Sequence, residues 1–509
     1  MHTDDVAPTI GASSRPETVR RRRREVLRAA SSGFIAAACS APQRSEPTLR
    51  PLVSKRLVRV AMPTTLDFVA RVDRARDLQA SRGEALRDGV EVEVVPTGIG
   101  GFAYEVPDDD RLAIARRSLS AGQRIDVIWT PLVDLGDLHH DRTIAPIGAF
   151  AARDHVDLKE FGPQALQPAF APNDGLMALP DSIAARQVYF RLDHLADAGI
   201  DFRRAGLDFE NPKITWDAVR RVALDAHASP TGRSRVAFDP LSEAFPAAAW
   251  SWQAGLPIGR PSERNAATVA DALQWLKAVA NELNLGPTRK APNRTTAVRH
   301  GTVSVVPDGT AIPRDDGARH PLLNGTSTLV IDSTRLVSTI ASFDASAPIR
   351  VVELPRRDAN SHAVGWADVS GYALAAGASD DAWDLLKYLS GEDAAYASAR
   401  AVAMRLTPIV RAGSGSRAPD DLVGGPRWWF PAYSGRIALD RFLAKQYRTG
   451  VKVLDEAHDH GMEQIRAVGI IPFGVGTRRW LLALDAARRA VLRDGLDPSD
   501  AARAAIAGS

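Results

Sequence analysis

Few residues in this 509-residue chain are spaced for covalent chemistry. Cys39 is its one cysteine, so no internal disulfide can form. His458 and His460, with Glu456 and Glu463 close by, make the densest His/acid group apart from His139-His140-Asp141. A separation of two sets these imidazoles on different sides of a helix, which argues against a shared metal ion. Gly413-Ser414-Gly415-Ser416 lacks the G-x-S-x-G spacing that seats a nucleophilic serine on a strand-to-helix turn, and it reads as a loop. No P-loop is present, so the chain is not a transport ATPase of that type. The sequence therefore predicts no catalytic residue, no metal site and no cofactor. What it does have is ten tryptophans, spread from Trp129 to Trp480.

Cys39 closes an unusual first segment. Residues 1–38 hold seven arginines against four acids, a charge of +3 that equals the formal net charge of the whole chain, so the remainder is near neutral. A neutral body offers no electrostatic footprint for nucleic acid. Arg21-Arg22-Arg23-Arg24 precedes a short, weakly apolar run, Ala29 to Ala38, the layout of a secretory signal. That run is far below the roughly 20 residues that span a bilayer. Arg23-Arg24-Glu25-Val26-Leu27-Arg28 resembles the twin-arginine export signal, with Val26 where Phe is usual. Ala36-Ala37-Ala38-Cys39 resembles a bacterial lipobox, in which the cysteine carries lipid and anchors the protein to the membrane; Ala36 departs from the usual Leu. The same residues also fit an ordinary Ala36-x-Ala38 cleavage site that leaves Cys39 incidental. We expect an export signal over 1–38 and a polar, Pro-containing tether over 39–56.

The elements that follow must form more than one globular unit at this length. Leu57–Met62 and Val90–Val95 alternate as strands do, with helical pattern from Leu66 to Arg87 between them. Leu112, Ala115 and Leu119 share a helix face, and Arg124–Trp129 reads as a third strand. Strand and helix in this alternation predict a parallel α/β sheet. Further on, Gln187–Phe190, Thr302–Val306 and Ile349–Pro355 read as strands. Thr215 is placed to cap a helix opening at Trp216, and Ala267–Leu283 is amphipathic. Ala382, Leu385, Leu386 and Leu389 form a helical stripe, as do Leu481, Leu484, Ala487 and Val491. Asp497 and Pro498 are placed to start a last helix.

The order of several short motifs resembles the extracellular solute-binding proteins of ABC importers, in their sugar-binding group. Asp126-Val127-Ile128-Trp129 is similar to that family's Asp-Val strand entry, and Asp174-Gly175-Leu176-Met177-Ala178-Leu179-Pro180 to its Asp-Gly turn, with Met177 for Tyr. Tyr189-Phe190-Arg191-Leu192-Asp193 with Ala198-Gly199-Ile200, then Thr215-Trp216-Asp217, follow in the family's order. So do Arg299-His300-Gly301, Leu354-Pro355 before Gly365-Trp366, and Ala382-Trp383-Asp384-Leu385-Leu386-Lys387-Tyr388-Leu389-Ser390. The resemblance implies a type II periplasmic-binding-protein-like fold, two α/β lobes whose hinge the chain crosses more than once. Lobe 1 would comprise 57–183 plus 366–404, and lobe 2 184–365 plus 405–509, with 411–469 as an insertion. It further implies capture of a small solute, a sugar or oligosaccharide, and delivery to ABC permease subunits.

A sugar has apolar C–H faces and a rim of hydroxyls, so its site needs aromatic platforms with carboxylates or amides beside them. The resemblance points to Trp129 and Thr130 after the third strand, Gln187 past the first crossover, and Trp250 and Trp252 in a loop. It also points to Asp308, to Trp366 and Asp368 at the second crossover, and to Trp480 at a late helix. Trp216 and Trp383 are assigned to packing, and Asp126 to holding backbone. The rival readings are an exported hydrolase and a ligand-sensing receptor on the same fold.

Overall fold

The computed structural model describes residues 56–63, 66–96, 124–201, 207, 214–229, 236–238, 253, 265–283, 303–305, 311–313, 322–323, 325–334, 336–337, 340, 348–358, 365, 367–401, 433–446, 452–469 and 473–508. Cys39, Arg23, Arg24, tether residues 39–55, Trp250, Trp252, Asp308 and Trp366 lie outside these residues, as does all of 411–432; Arg56, expected as the last residue of the tether, instead opens the first strand.

In chain order the principal elements are β1 (Arg56–Met62), α1 (Leu66–Arg82), β2 (Val90–Pro96), β3 (Val127–Pro131), β4 (Ala178–Arg191), α2 (Trp216–Ala228), α3 (Ala266–Glu282), β5 (Ser327–Ser333), β6 (Ile349–Glu353), β7 (Ala367–Ala375), α4 (Asp380–Leu389), α5 (Ile437–Gln446), α6 (Lys452–Ala467), α7 (Thr477–Arg493) and α8 (Pro498–Ala507). The predicted caps are present. Thr215 Oγ1 accepts the Ala218 N–H at 3.2 Å, and Asp497 accepts from Ser499 and Asp500 with Pro498 in the first turn. Two boundaries differ from the sequence reading. Helix α1 stops at Arg82, where Gly83 and then Ala85 take positive φ of 64° and 68°. Strand β3 starts at Val127 rather than Arg124; Asp126, just before it, is tied to β1 by its Oδ2, which accepts the Arg59 N–H at 2.9 Å, and by its own N–H, which donates to the Arg59 carbonyl at 2.9 Å.

One sheet runs through the molecule in the order β2-β1-β3-β7-β4-β5, ending on the short strand Val236–Phe238. Strands β1, β2 and β3 are parallel, β7 is antiparallel to both β3 and β4, and β4 is antiparallel to β5 and β6. The 14-residue β4 belongs to both halves of this sheet. Its residues Ala178–Ala185 pair with β7, whereas Arg186–Arg191 lie between β5 and β6. The sequence pattern showed only the last part of this strand, since Pro180, Asp181, Ser182, Arg186 and Gln187 break its apolar run. All of these residues are nevertheless buried.

The cores divide at the same place. One gathers Val60, Ile128, Leu135, Ile183, Tyr372, Trp383 and Leu386, with Tyr433 and Val468 from the C-terminal third. A second gathers Val188, Phe190, Trp216, Leu276, Ile331, Trp480, Leu484 and Ile506. A third, under α6, holds Tyr189, Val330, Val351 and Ala457. Trp216 and Trp383 are fully enclosed, and each indole N–H is satisfied, by Gln253 at 2.9 Å and Asp154 at 2.8 Å. Gly371 marks a register shift between β7 and β4; a Cβ there would sit 2.4 Å from the Leu179 carbonyl oxygen.

Candidate functional site

Because β1, β2 and β3 are parallel, their carboxyl ends, Met62, Pro96 and Pro131, share one edge of the sheet. Strand β7 begins at that edge, with Ser370 opposite Pro131, and β4 crosses there from one half-sheet to the other. Open α/β sheets place ligands beyond such strand ends, so this edge is the candidate site.

Buried charge is concentrated here. Arg71 from α1 donates to Asp181 of β4, and both side chains are 2% exposed. The second oxygen of Asp181 accepts the Trp129 indole N–H at 3.1 Å. Trp129 is 6% exposed and meets Phe68 edge to face, centroids 5.0 Å apart. Its ring at the end of β3 is thus fixed by α1 on one side and β4 on the other. Thr130 is buried, its hydroxyl 3.3 Å from the Pro131 carbonyl oxygen.

Where β4 changes partners, the guanidinium of Arg186 lies 3.3 Å from Asp368 on β7 and 3.9 Å from Asp332 on β5. One cation between two carboxylates keeps the crossing from carrying an uncompensated positive charge. Gln187 is fully buried: its Nε2 donates to the Ala457 carbonyl at 3.0 Å, and its Oε1 accepts from the Tyr189 hydroxyl at 3.2 Å. Burial pushes the Tyr189 phenol well above its ordinary pKa, so it stays a donor. The chain returns to this crossing at Tyr433, which bridges to Ile183; its hydroxyl donates to the His458 carbonyl at 2.6 Å.

A further contact joins the two cores beyond β3. Arg478 on α7 donates to Asp134 at 2.6 Å, and the Gly476 N–H donates to Asp137 at 2.9 Å. Trp480, one turn into α7, is 4% exposed within the second core.

The structure thus brings Trp129, Thr130, Gln187 and Asp368 to the crossing edge, and sets Trp480 in the core that Val133, just after β3, packs against. Nothing local in the sequence marks Arg71, Asp134, Asp181, Arg186 or Arg478, because a buried charge and a solvated one have the same local pattern. Asp181, next to Pro180 in an otherwise strand-like run, was the nearest thing to a signal. A separate cavity of about 660 Å³, lined by Ala151, His155, Val156, Leu158, Phe170 and Leu176, lies elsewhere. It adjoins the segment after Ile144–Ala145, which pairs with the opposite end of β7. Among the described residues no group of three or more His, Cys, Asp or Glu could hold a metal ion, and no helix is long and apolar enough to cross a membrane.

No protein-family model matches the sequence, and no curated protein matches it either. Solved structures do. A sugar transporter from Rhizobium etli in an open conformation superposes with a TM-score of 0.58 at 14% identity, covering 89% of this chain and 98% of that one. The GacH receptor of Streptomyces glaucescens, solved without ligand and with acarbose, gives 0.58 at 13%, covering 89% and 97%. The sugar-binding protein MalE of Xanthomonas citri gives 0.57 at 14%, covering 89% and 95%. At these identities the likeness is one of fold: the chain has the two-lobed periplasmic-binding-protein-like α/β architecture, with β4 passing between the lobes.

Proposed function

We propose that this chain is an exported solute-binding protein that captures a sugar or oligosaccharide between its lobes and delivers it to the permease subunits of an ABC importer. The observation that carries the reading is the extent of the structural likeness. It spans 89% of this chain and nearly all of proteins described as sugar-binding, acarbose-binding and maltose-bound. Within that fold the sheet edge holds a rigid indole, Trp129, fixed by Asp181 and Phe68, the kind of aromatic platform that a sugar's apolar faces require.

On this reading Trp129, Thr130, Gln187, Trp250, Trp252, Asp308, Trp366, Asp368 and Trp480 contribute to the ligand site. The chemistry is binding without turnover. Cys39 carries the lipid that anchors the protein to the membrane, facing the periplasm or cell exterior, after export directed by Arg23 and Arg24. The lobes comprise 57–183 with 366–404 and 184–365 with 405–509. The near-neutral charge after residue 38 agrees with a partner that is not nucleic acid.

A thermal-shift screen against mono- and oligosaccharides tests the central claim. A ligand at 100 times its Kd stabilises by about 2.7 kcal/mol, so a true binder raises Tm visibly. No shift with any sugar, together with turnover of a chromogenic glycoside or ester, would replace binding by hydrolysis. Radiolabelled palmitate should mark the wild type and not Cys39→Ala.

A further inference from the structure

Helix α6 is attached to both halves of the sheet. Its Ala457 is enclosed in the third core with Tyr189, Val330 and Val351, from β4, β5 and β6. The Ala457 carbonyl accepts from Gln187 Nε2 at 3.0 Å, and Glu456 pairs with Arg350 of β6. Gln464 Oε1 accepts the Leu354 N–H, just past β6, at 3.0 Å. All of these ties run to the half-sheet built around Arg186–Arg191.

The later part of the helix is held by the opposite half. Met462 and Ile465 pack against the first core, and Val468 lies within it. Gln164 Nε2 donates to the Arg466 carbonyl at 3.3 Å, and the Gly469 N–H donates to the Gly365 carbonyl, ahead of β7, at 2.8 Å. Tyr433 of the same core bridges to Ile183 and donates to the His458 carbonyl at 2.6 Å.

Gly461 sits between the two sets of ties, against the crossing itself. A Cβ on it would collide with the Tyr433 hydroxyl and lie 2.9 Å from Cγ2 of Thr334, whose N–H donates to the Ala185 carbonyl at 2.8 Å. Glycine inside a helix weakens it relative to alanine, and here the close approach accounts for its presence. From Glu456 to Arg466 the helix axis runs about 15 Å. Rotating the half-sheets by roughly 15° about the middle of that span would displace each end by about 2 Å, more than a hydrogen bond tolerates. Such a rotation must tear α6 from one half.

We infer that α6 is a splint, fixing the two half-sheets at one mutual angle so that the β4 crossing does not serve as a free hinge. A solute then meets a site whose sheet framework is already set. That consequence rests on the binding reading above, whereas the splint itself does not.

The test uses the full chain with Cys39→Ala, and donor and acceptor dyes on Ala80→Cys of α1 and Ala228→Cys of α2, exposed positions on helices of opposite cores. Single-molecule energy transfer should give one narrow distance, unmoved by added maltose or maltotetraose. Gly461→Leu, which wedges α6 off the crossing, should about double the width of that distribution or add a second distance. Gln464→Leu removes one tie without adding bulk; it should broaden the distribution in the same way, and serves if the glycine variant fails to fold. A parent with two distances, a distance that moves with either sugar, or a folded variant with the parent's distribution would overturn the splint. Thermal shifts on the same samples keep the two readings apart. A sugar that raises Tm and moves the distance defeats the splint and leaves binding standing. An unmoved distance with no rise in Tm for any sugar defeats the sugar reading alone.

Discussion

The indole N–H of Trp129 and the guanidinium of Arg71 grip opposite oxygens of Asp181, so one carboxylate ties α1, β3 and β4 together at the edge where the lobes meet. Removing that carboxylate leaves Arg71 enclosed without its counter-charge. Asp181→Ala should cost about 3–5 kcal/mol. Trp129→Phe deletes one hydrogen bond and keeps the ion pair, so it should cost about 1–2 kcal/mol. Urea unfolding of the two variants measures both, and equal losses would show that the pair and the indole are not linked as described.

Asp440 gives the stability a defined pH dependence. Burial raises its pKa from 3.8 to about 6, against the pull of hydrogen bonds from Ser434 and Gly435 and of Arg436. The folded state thus binds this proton more tightly than the unfolded chain, so stability is greatest below pH 4 as far as this group is concerned. It falls by about 3 kcal/mol as pH rises to 6. Asp154, held low by Arg153, Lys387 and Trp383, acts in the opposite sense and loses its contribution as pH falls below about 4. Denaturant midpoints between pH 4 and 7 should decline in the wild type and flatten in Asp440→Asn.

Gly371 permits the close approach of β7 to β4. Gly371→Ala places a methyl group 2.4 Å from the Leu179 oxygen, a backbone atom in the middle of the sheet that cannot swing aside. A loss of roughly 2–3 kcal/mol is expected. Gly377, whose added Cβ would meet nothing within 4 Å but whose φ is 77°, is the comparison. Gly377→Ala should cost about 1–2 kcal/mol, and calorimetry distinguishes the two.

Trp129 and Trp480 both contribute to the ligand site on the reading above, so each substitution should lower both stability and binding. Trp480 is 4% exposed among Leu481, Leu484 and Val491, so Trp480→Ala should cost about 3–5 kcal/mol without sugar and also reduce the sugar-induced rise in Tm. Trp129→Ala, where the sheet edge provides the platform, should in addition abolish the sugar-induced rise in Tm. A variant at Trp129 with an undiminished shift would move the platform to another residue.

Much of the fold was legible in the sequence because periodicity and capping are local signals. Val58, Val60 and Met62 alternate into the first core as their spacing requires, and Thr215 and Asp497 start the helices they were expected to start. Strand β4 was legible only from Gln187, since Pro180 to Ser182 look like a turn until β7 and Arg71 supply their partners. The site was less legible for the same reason. An aromatic residue at a strand end attracts notice, as Trp129 did. Asp134 and Arg478 are 344 positions apart, and nothing near either one announces the other.

The sharing of β4 has a consequence for how the chain folds. Neither half-sheet is complete without this strand: Ala178–Ala185 fills one flank of β7, and Arg186–Arg191 forms the centre between β5 and β6. Fraying at either end of the strand therefore weakens both halves. The two lobes, though their hydrophobic interiors are distinct, should melt in a single cooperative transition, and neither should be recoverable as an independent fragment.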